Sequence, residues 1–191
     1  MNPPRRATLA LLLGAGGAGL LAAWARGAGR TRPATAHPGH ESLCFAAPAL
    51  PYDPASGLPP RAARAVPAEA RCPVCGMFPA RRPEWAAQVI FADGAAQFLD
   101  SPASLATYLS RLPRYAPSRR PGEIVARYVG AADGAGWLRA ERAWFVQAPG
   151  ILGPMRTPNY LPFAAAAAAH AQAARLAGAR VLDFEALLHA G

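Results

Sequence analysis

The sequence contains no lysine, and this absence shapes its charge. All 20 basic residues are arginines, set against 11 acidic residues, so the formal net charge is +9. A charge of this size is typical of proteins that bind nucleic acid or an anionic membrane surface. The arginines are scattered, however, and they form no basic stripe interleaved with aromatic residues. The pattern therefore argues against nucleic acid as a partner.

Cysteine is also scarce, with Cys44, Cys72 and Cys75 the only three. Three cysteines are too few for a disulfide framework, and an odd number leaves one thiol unpaired in an oxidising compartment. Cysteines that stay reduced outside the cytoplasm usually have a specific role such as metal binding. The cysteine count therefore favours a functional site, such as a metal site, over a disulfide-bonded scaffold.

Only one apolar run approaches the length of a membrane span, and it lies at the N-terminus. Residues 7–25 read ATLALLLGAGGAGLLAAWA behind the pair Arg5-Arg6, and the run ends in the small-x-small triplet Ala23-Trp24-Ala25. This anatomy predicts that residues 1–25 are an export signal, used by the Sec or the twin-arginine route. The alternative is a retained anchor that tethers the protein to the inner membrane.

Residues 26–70 show little periodicity and predict an extended linker. The segment contains eight prolines and is rich in alanine and glycine. His37 and His40 lie in it shortly before Cys44, which raises the alternative of an auxiliary metal site. The intervening Pro-Gly pair favours a turn with solvated histidines. The folded part is predicted to begin near Arg71.

The rest of the chain predicts an α+β fold made of two tandem β-β-α-β units, over residues 71–130 and 137–187. In the first unit we expect strands at 85–91, 95–99 and 123–129, a hairpin turn at Asp93-Gly94, and a helix capped by Ser101 that runs to Arg111. In the second unit we expect strands at 143–147, 151–155 and 180–184, and a helix over 162–177 closed by Gly178.

The stretch RCPVCGM, residues 71–77, carries the chemistry of the chain. A redox dithiol usually lies at a helix N-terminus, but Gly76 and Pro79 prevent a helix from starting here. A closed zinc site needs four ligands, and neither His170 nor His189 is spaced to complete one. Three chemistries remain open from the residues alone: copper binding, thiol–disulfide exchange and an improvised zinc site.

Copper(I) fits the motif better than the other two. It is a soft ion that prefers thiolate and thioether sulfur, and Cys72, Cys75 and Met77 place three sulfur atoms within six residues. Two thiolates on one Cu(I) ion leave a net negative charge. We expect Arg71, together with Arg81 or Arg82, to offset that charge. The alternative for Met77 is ordinary core packing.

Three segments of the chain resemble NosL-type nitrous oxide reductase accessory proteins. In chain order they read CPVCGMFPARRPEWAAQVIFADGAAQFLDS, GPMRTPNYLPF and VLDFEAL. The resemblance covers residues 71–187. It implies a periplasmic Cu(I)-binding protein, not an enzyme, that supplies copper for nitrous oxide reductase maturation together with a membrane ABC-type assembly machinery. It also implies the two-unit β-β-α-β fold. It maps Cys72, Cys75 and Met77 onto the opening motif and Met155 onto the Gly-Pro-Met segment, as metal ligands.

The chain departs from this resemblance at two places. Family members commonly carry a lipidated cysteine directly after the signal, but here Cys44 is distant and follows Leu43 where a small residue is needed. We therefore predict no lipid on the mature N-terminus. A histidine that many members carry before the last strand is replaced by Leu176-Ala177-Gly178. The match therefore assigns no histidine ligand.

Overall fold

The computed structural model describes residues 47–190, which form a mixed α+β fold with two antiparallel sheets. The predicted export signal, His37, His40 and Cys44 lie outside the described residues. The strands are β1 Ala87–Phe91, β2 Ala96–Leu99, β3 Ile124–Gly130, β4 Trp137–Arg139, β5 Trp144–Gln147, β6 Leu161–Phe163 and β7 Arg180–Leu182. The α-helices are α1 Pro102–Ser110, α2 Leu112–Tyr115, α3 Ala166–Ala173 and α4 Phe184–His189. Across residues 47–190, no helix has the length and apolar character needed to cross a membrane.

The two sheets share one strand order, and the α+β fold class is confirmed. The first sheet runs β2-β1-β3-β4 and the second runs β6-β5-β7, so the first strand of each unit is central, between the unit's second and third strands. Both sheets are antiparallel throughout. Each unit follows its second strand with a helix that returns the chain to the other side of the central strand.

The described part of the predicted linker, residues 47–70, lies against the first sheet. Leu50 forms a two-bond antiparallel bridge with Ala96, with both N–O distances 2.8 Å. The Gln88 side chain exchanges two hydrogen bonds of 3.0 Å with the backbone of Arg64. Since the linker covers the outer face of the sheet, every residue of β1 is buried. This burial on both faces explains why four of the five residues of β1 are apolar and why they do not alternate strictly with polar ones.

The second strand of the second unit is not where the sequence predicted it. Residues 151–155 form a loop, with one isolated bridge between Leu152 and Pro158, and the strand is β6, ten residues later. Pro154 has no N–H to donate to a ladder, and Gly153 N–H instead closes a turn onto the Thr157 carbonyl. β6 accommodates Pro162 because it is an edge strand.

Three elements were not predicted, and one of them is the short helix α2. β4 falls within the predicted second unit but pairs with β3, so it extends the first sheet. Helix α4 follows β7, and its N-cap is Asp183, whose side chain accepts the Ala186 N–H at 2.8 Å. The helix expected over 162–177 is the shorter α3, which lacks a side-chain cap.

The two units share a hydrophobic core. Its buried members come from the first sheet, α1, α2, β5, α4 and the segment that carries Cys72. They include Cys72, Val89, Leu105, Tyr108, Phe145, Phe184 and Leu187. The cysteine motif is therefore anchored directly in the packing that joins the units.

Candidate metal centre

The chain from Cys72 to Met77 forms a tight turn, closed by two backbone hydrogen bonds. The Gly76 N–H donates to the Cys72 carbonyl at 2.8 Å, and the Cys72 N–H donates to the Met77 carbonyl at 2.9 Å. Gly76 has a φ of 74°, in the left-handed region that side chains with a Cβ rarely adopt. Residues 73–75 form a turn and not a helix. The dithiol thus lacks the helix N-terminus on which a thioredoxin-type site depends.

This turn places both thiols beside a buried carboxylate. The Sγ atoms of Cys72 and Cys75 and an oxygen of Asp100 all lie within 4.8 Å of one another. The Sγ of Cys72 lies 3.4 Å from Asp100 Oδ1 and donates to it. Cys72 and Asp100 are buried, whereas Cys75 is half-buried. The cluster could hold one metal ion between two sulfur atoms and one oxygen atom.

Asp100 reaches the thiols because β2 ends there and α1 begins two residues later. Ser101, the N-cap of α1, accepts the Ser104 N–H at 3.2 Å and donates its hydroxyl to Asp100 Oδ1 at 3.4 Å. Sequence reasoning missed Asp100 because the search for ligands considered sulfur and histidine. The available signal was an aspartate between an apolar strand and a helix cap, 28 residues after Cys72.

The two thiols influence one another's protonation. A hydrogen bond from the Cys75 thiol lowers the pKa of Cys72. The same bond raises the pKa of Cys75 far above its usual range, with further contributions from burial and from the negative charge on Cys72. Cys72 also donates to Asp100, so the two thiols and the carboxylate interact as one group. A bound cation would favour the thiolate form of both cysteines.

Two of the three arginines predicted to offset the site's charge lie together on one aromatic ring. The guanidinium carbon of Arg71 lies 4.0 Å from the centroid of Phe78, and that of Arg81 lies 4.8 Å from it. Arg71 also donates to the Gly76 carbonyl at 3.2 Å, which ties it to the cysteine turn. Arg82 instead pairs with Glu84 at 2.6 Å. Arg71 therefore contacts the cysteine turn directly, and Arg81 lies with it on the Phe78 ring.

The methionines and histidines occupy different environments. Met77 is half-buried at the end of the turn, and it is absent from the hydrophobic clusters of the described residues. Met155 lies on the loop between β5 and β6 and is 45% exposed. Within residues 47–190, His170 and His189 lie outside the Cys72–Cys75–Asp100 cluster. The structure thus brings the two cysteines together and adds a carboxylate, while Met155 stays on the surface.

Comparison with known proteins points to one family. The family model named NosL matches residues 63–190, about two-thirds of the chain. Among solved structures, the copper chaperone NosL from Shewanella denitrificans matches with a TM-score of 0.53 and 19% sequence identity, over 66% of this chain and 96% of that one. A search of curated proteins finds no match. At 19% identity the structural match shows the fold alone. The family match covers the cysteine turn, Asp100 and both sheets. The chain belongs to the NosL family.

Proposed function

We propose that this protein is a periplasmic Cu(I)-binding metallochaperone that supplies copper for the maturation of nitrous oxide reductase. The observation that carries the proposal is the cluster of Cys72, Cys75 and Asp100 within 4.8 Å on a surface turn. Family membership and the fold shared with a structure described as a copper chaperone support it. The proposed partners are nitrous oxide reductase and its membrane ABC-type assembly machinery.

The donor set favours Cu(I) over harder ions. Thiolates are soft ligands, and Cu(I) binds stably with two, three or four of them or with thioethers. Met77 ends the same turn and is free of core packing among the described residues, so its thioether is available as a third donor. One Cu(I) ion on two thiolates carries a net charge of −1, which Arg71 and Arg81 are placed to offset.

The difference in exposure between the two cysteines suits delivery. Cys72 is fully buried and bonded to Asp100, whereas Cys75 is half-buried. The neighbouring Gly76 borders open space, since a Cβ added there would meet no other atom within 4 Å. A recipient thiol or thioether can therefore approach from the Cys75 side while Cys72 retains the ion. Stepwise ligand exchange of this kind needs an open edge, and a loop site provides one.

Two other functions would use the same cysteines, and the experiment described below distinguishes them from copper delivery. A thiol–disulfide oxidoreductase would need only the dithiol, and its thiolate would lack a helix dipole here. A zinc-stabilised module needs four ligands in a closed site, and the cluster in residues 47–190 contains three candidates. Neither function gives a role to Met77.

Native mass spectrometry of the anaerobically purified chain, with Cu(I) or Zn(II) added, tests the proposal. We expect one Cu(I) per chain, lost in the Cys72→Ser/Cys75→Ser double variant. Cys44→Ser is the matched control, because it removes the third cysteine of the chain and should keep the ion. Tighter binding of zinc than of copper, or copper retained by the double variant, would contradict the proposal. Transfer to copper-free nitrous oxide reductase tests the delivery step.

A further inference from the structure

Two arginines share one aromatic ring beside the cysteine turn. The guanidinium carbons of Arg71 and Arg81 lie 4.0 Å and 4.8 Å from the centroid of the Phe78 ring. Both arginines are exposed, and Phe78 is half-buried. The ring attracts a cation at this distance through its quadrupole, and the stacking restricts side chains that would otherwise move freely in solvent. These three residues, called the arginine platform below, therefore hold two positive charges in a defined place.

No carboxylate of residues 47–190 forms an ion pair with the arginine platform. The four ion pairs of that range use other arginines, namely Arg82, Arg119, Arg127 and Arg139. Arg82, which follows the platform in sequence, pairs with Glu84 at 2.6 Å and so adds little net charge. Like charges that are held close together repel one another. The platform keeps two of them without an intramolecular counter-ion, so its charge is available to a partner.

The platform borders the open edge of the metal cluster. Arg71 directly precedes Cys72, and it donates to the carbonyl of Gly76, which directly follows Cys75, at 3.2 Å. Cys75 is half-buried, and a Cβ added to Gly76 would meet no other atom within 4 Å. A molecule that approaches the Cys75 thiol from this side therefore comes close to the platform as well.

The chemistry of the platform favours carboxylates carried by a protein. A guanidinium presents a planar set of N–H donors that matches a carboxylate through two parallel hydrogen bonds. Exposed charges raise association rates more than affinity, which suits a carrier that must bind its partner and then leave it. Phospholipid headgroups and nucleic acids are also anionic, but neither supplies a sulfur donor that takes a soft ion from Cys75. An acidic protein segment with soft donors of its own satisfies both needs.

We propose that Arg71, Phe78 and Arg81 form a docking surface for an acidic segment of the protein that receives the copper ion. The carboxylates of that segment pair with the two guanidinium groups and bring its soft donors to the Cys75 edge of the turn. The proposal rests on the proposed function for the identity of the ion, whereas the docking itself needs no metal.

Two synthetic acceptor peptides test the docking surface under reducing conditions. Each carries one Cys-x-x-Cys pair, flanked by glutamates in one peptide and by glutamines in the other. Stopped-flow fluorescence of the labelled peptide measures Cu(I) transfer from the loaded chain, and its anisotropy measures binding to the metal-free chain. We expect the acidic peptide to receive Cu(I) about tenfold faster at low salt. The advantage should disappear at about 1 M salt, where the Debye length is about 3 Å.

Double variants of equal net charge separate the platform from the general positive charge of the chain. Arg71→Gln/Arg81→Gln should remove most of the advantage of the acidic peptide. Arg142→Gln/Arg175→Gln is the matched control and should keep the advantage, because both arginines are exposed and take part in none of the ion pairs of residues 47–190. Arg71→Lys/Arg81→Lys retains both charges and should restore most of the advantage.

Equal transfer to both peptides by the parent, or an equal loss in the two glutamine variants, would overturn the docking surface and leave copper binding intact. If Arg71→Gln/Arg81→Gln slows transfer to both peptides alike, the arginines serve the ion alone and the proposal is wrong. It is also wrong if the parent shows no preference between the peptides but binds vesicles of phosphatidylglycerol and phosphatidylethanolamine through the platform. If the parent binds no Cu(I), the proposed function fails, and peptide binding to the metal-free chain still tests the docking surface.

Discussion

At the scale of single residues, the two cysteines of the turn are not equivalent. Cys72 is fully buried, belongs to the shared core and donates to Asp100. Cys75 is half-buried, and its pKa is raised by its hydrogen bond to Cys72 and by burial. The same hydrogen bond lowers the pKa of Cys72, so the two thiols are coupled to one another. Binding of a metal ion by both cysteines as thiolates would release their protons, so the proposed loading would depend on pH.

Replacing Met77 by leucine tests whether Met77 is a metal ligand or a packing residue. The substitution preserves volume and apolarity but removes the thioether. Because Met77 lies outside the hydrophobic clusters of residues 47–190, the free energy of unfolding of the apo protein should not change. We expect Cu(I) affinity to fall by about tenfold, equivalent to ~1–2 kcal/mol. Chelator competition under reducing conditions measures the affinity, and thermal unfolding of the apo form is the control.

The opposite pattern would remove Met77 from the site. If Met77→Leu binds Cu(I) like the parent but unfolds at a lower temperature, the methionine is a packing residue. The copper would then be held by the two cysteines and Asp100, and the oxidoreductase function would gain support. Cys75→Ser provides the scale for comparison, since it removes a charged thiolate and should weaken binding far more than Met77→Leu does.

Sequence spacing predicted the residues that are close along the chain and missed those that the fold brings together. Cys72 and Cys75 were recognised because three positions separate them, and their roles as ligands stay predictions. Asp100 was missed, because its partner Cys72 lies 28 residues away. A buried polar residue acquires such a role only from tertiary contacts, which no local pattern contains.

At the scale of elements, local turn chemistry determines which strands the sequence predicts well. The β1–β2 hairpin is marked by Asp93-Gly94, and the Asp93 carboxylate accepts the Ala95 N–H at 3.0 Å. The strand β6 has no comparable signal. It contains Pro162, and alanine-rich sequence follows it, which predicts helix more strongly than strand. Pairing with β5 overrides that propensity, so the position of β6 could not be read from local sequence.

An ion pair on the same hairpin leads to a prediction of how stability depends on pH. The Ala95 N–H and the Arg119 guanidinium, which lies 2.7 Å from Asp93 Oδ2, hold the pKa of Asp93 below its ordinary value of 3.8. A carboxylate with a lowered pKa stabilises the fold above the pKa of the unfolded chain, and this stabilisation is lost as the pH falls through the folded pKa. Asp93→Asn keeps the acceptor for Ala95 but loses the ion pair. We expect the variant to be less stable by up to about 1 kcal/mol at pH 7, with the difference vanishing in stronger acid.

Urea unfolding at several pH values measures this difference. Asp133→Asn is the matched control, because Asp133 accepts the Ala135 N–H at 3.0 Å in the same way and takes part in none of the four ion pairs found in residues 47–190. A difference between parent and Asp93→Asn that persists at pH 2, or that is equal in the Asp133 variant, would show that the ion pair with Arg119 is not its cause.

At the scale of the whole molecule, the metal site and the fold depend on the same core. Cys72 is packed with residues of both units. Further connections come from α4, which packs on α1, and from Asn159, whose side-chain oxygen accepts the Ala103 N–H at 3.2 Å. We therefore expect the two units to unfold cooperatively, with the cysteine turn lying where they meet. Binding at that point should therefore stabilise both units at once, and not only the turn that carries the sulfur atoms.

Thermal unfolding with and without Cu(I) tests this coupling. An ion that binds only the native state stabilises it by RT ln(1 + [L]/Kd), about 2.7 kcal/mol when the free ion exceeds Kd a hundredfold. We expect a single transition that shifts upward as a whole under anaerobic, reducing conditions. Cys75→Ser should keep the apo transition nearly unchanged, since Cys75 is half-buried, but should lose most of the shift. Two separate transitions, with only one responding to Cu(I), would show that the units unfold independently and that the shared core does not link them.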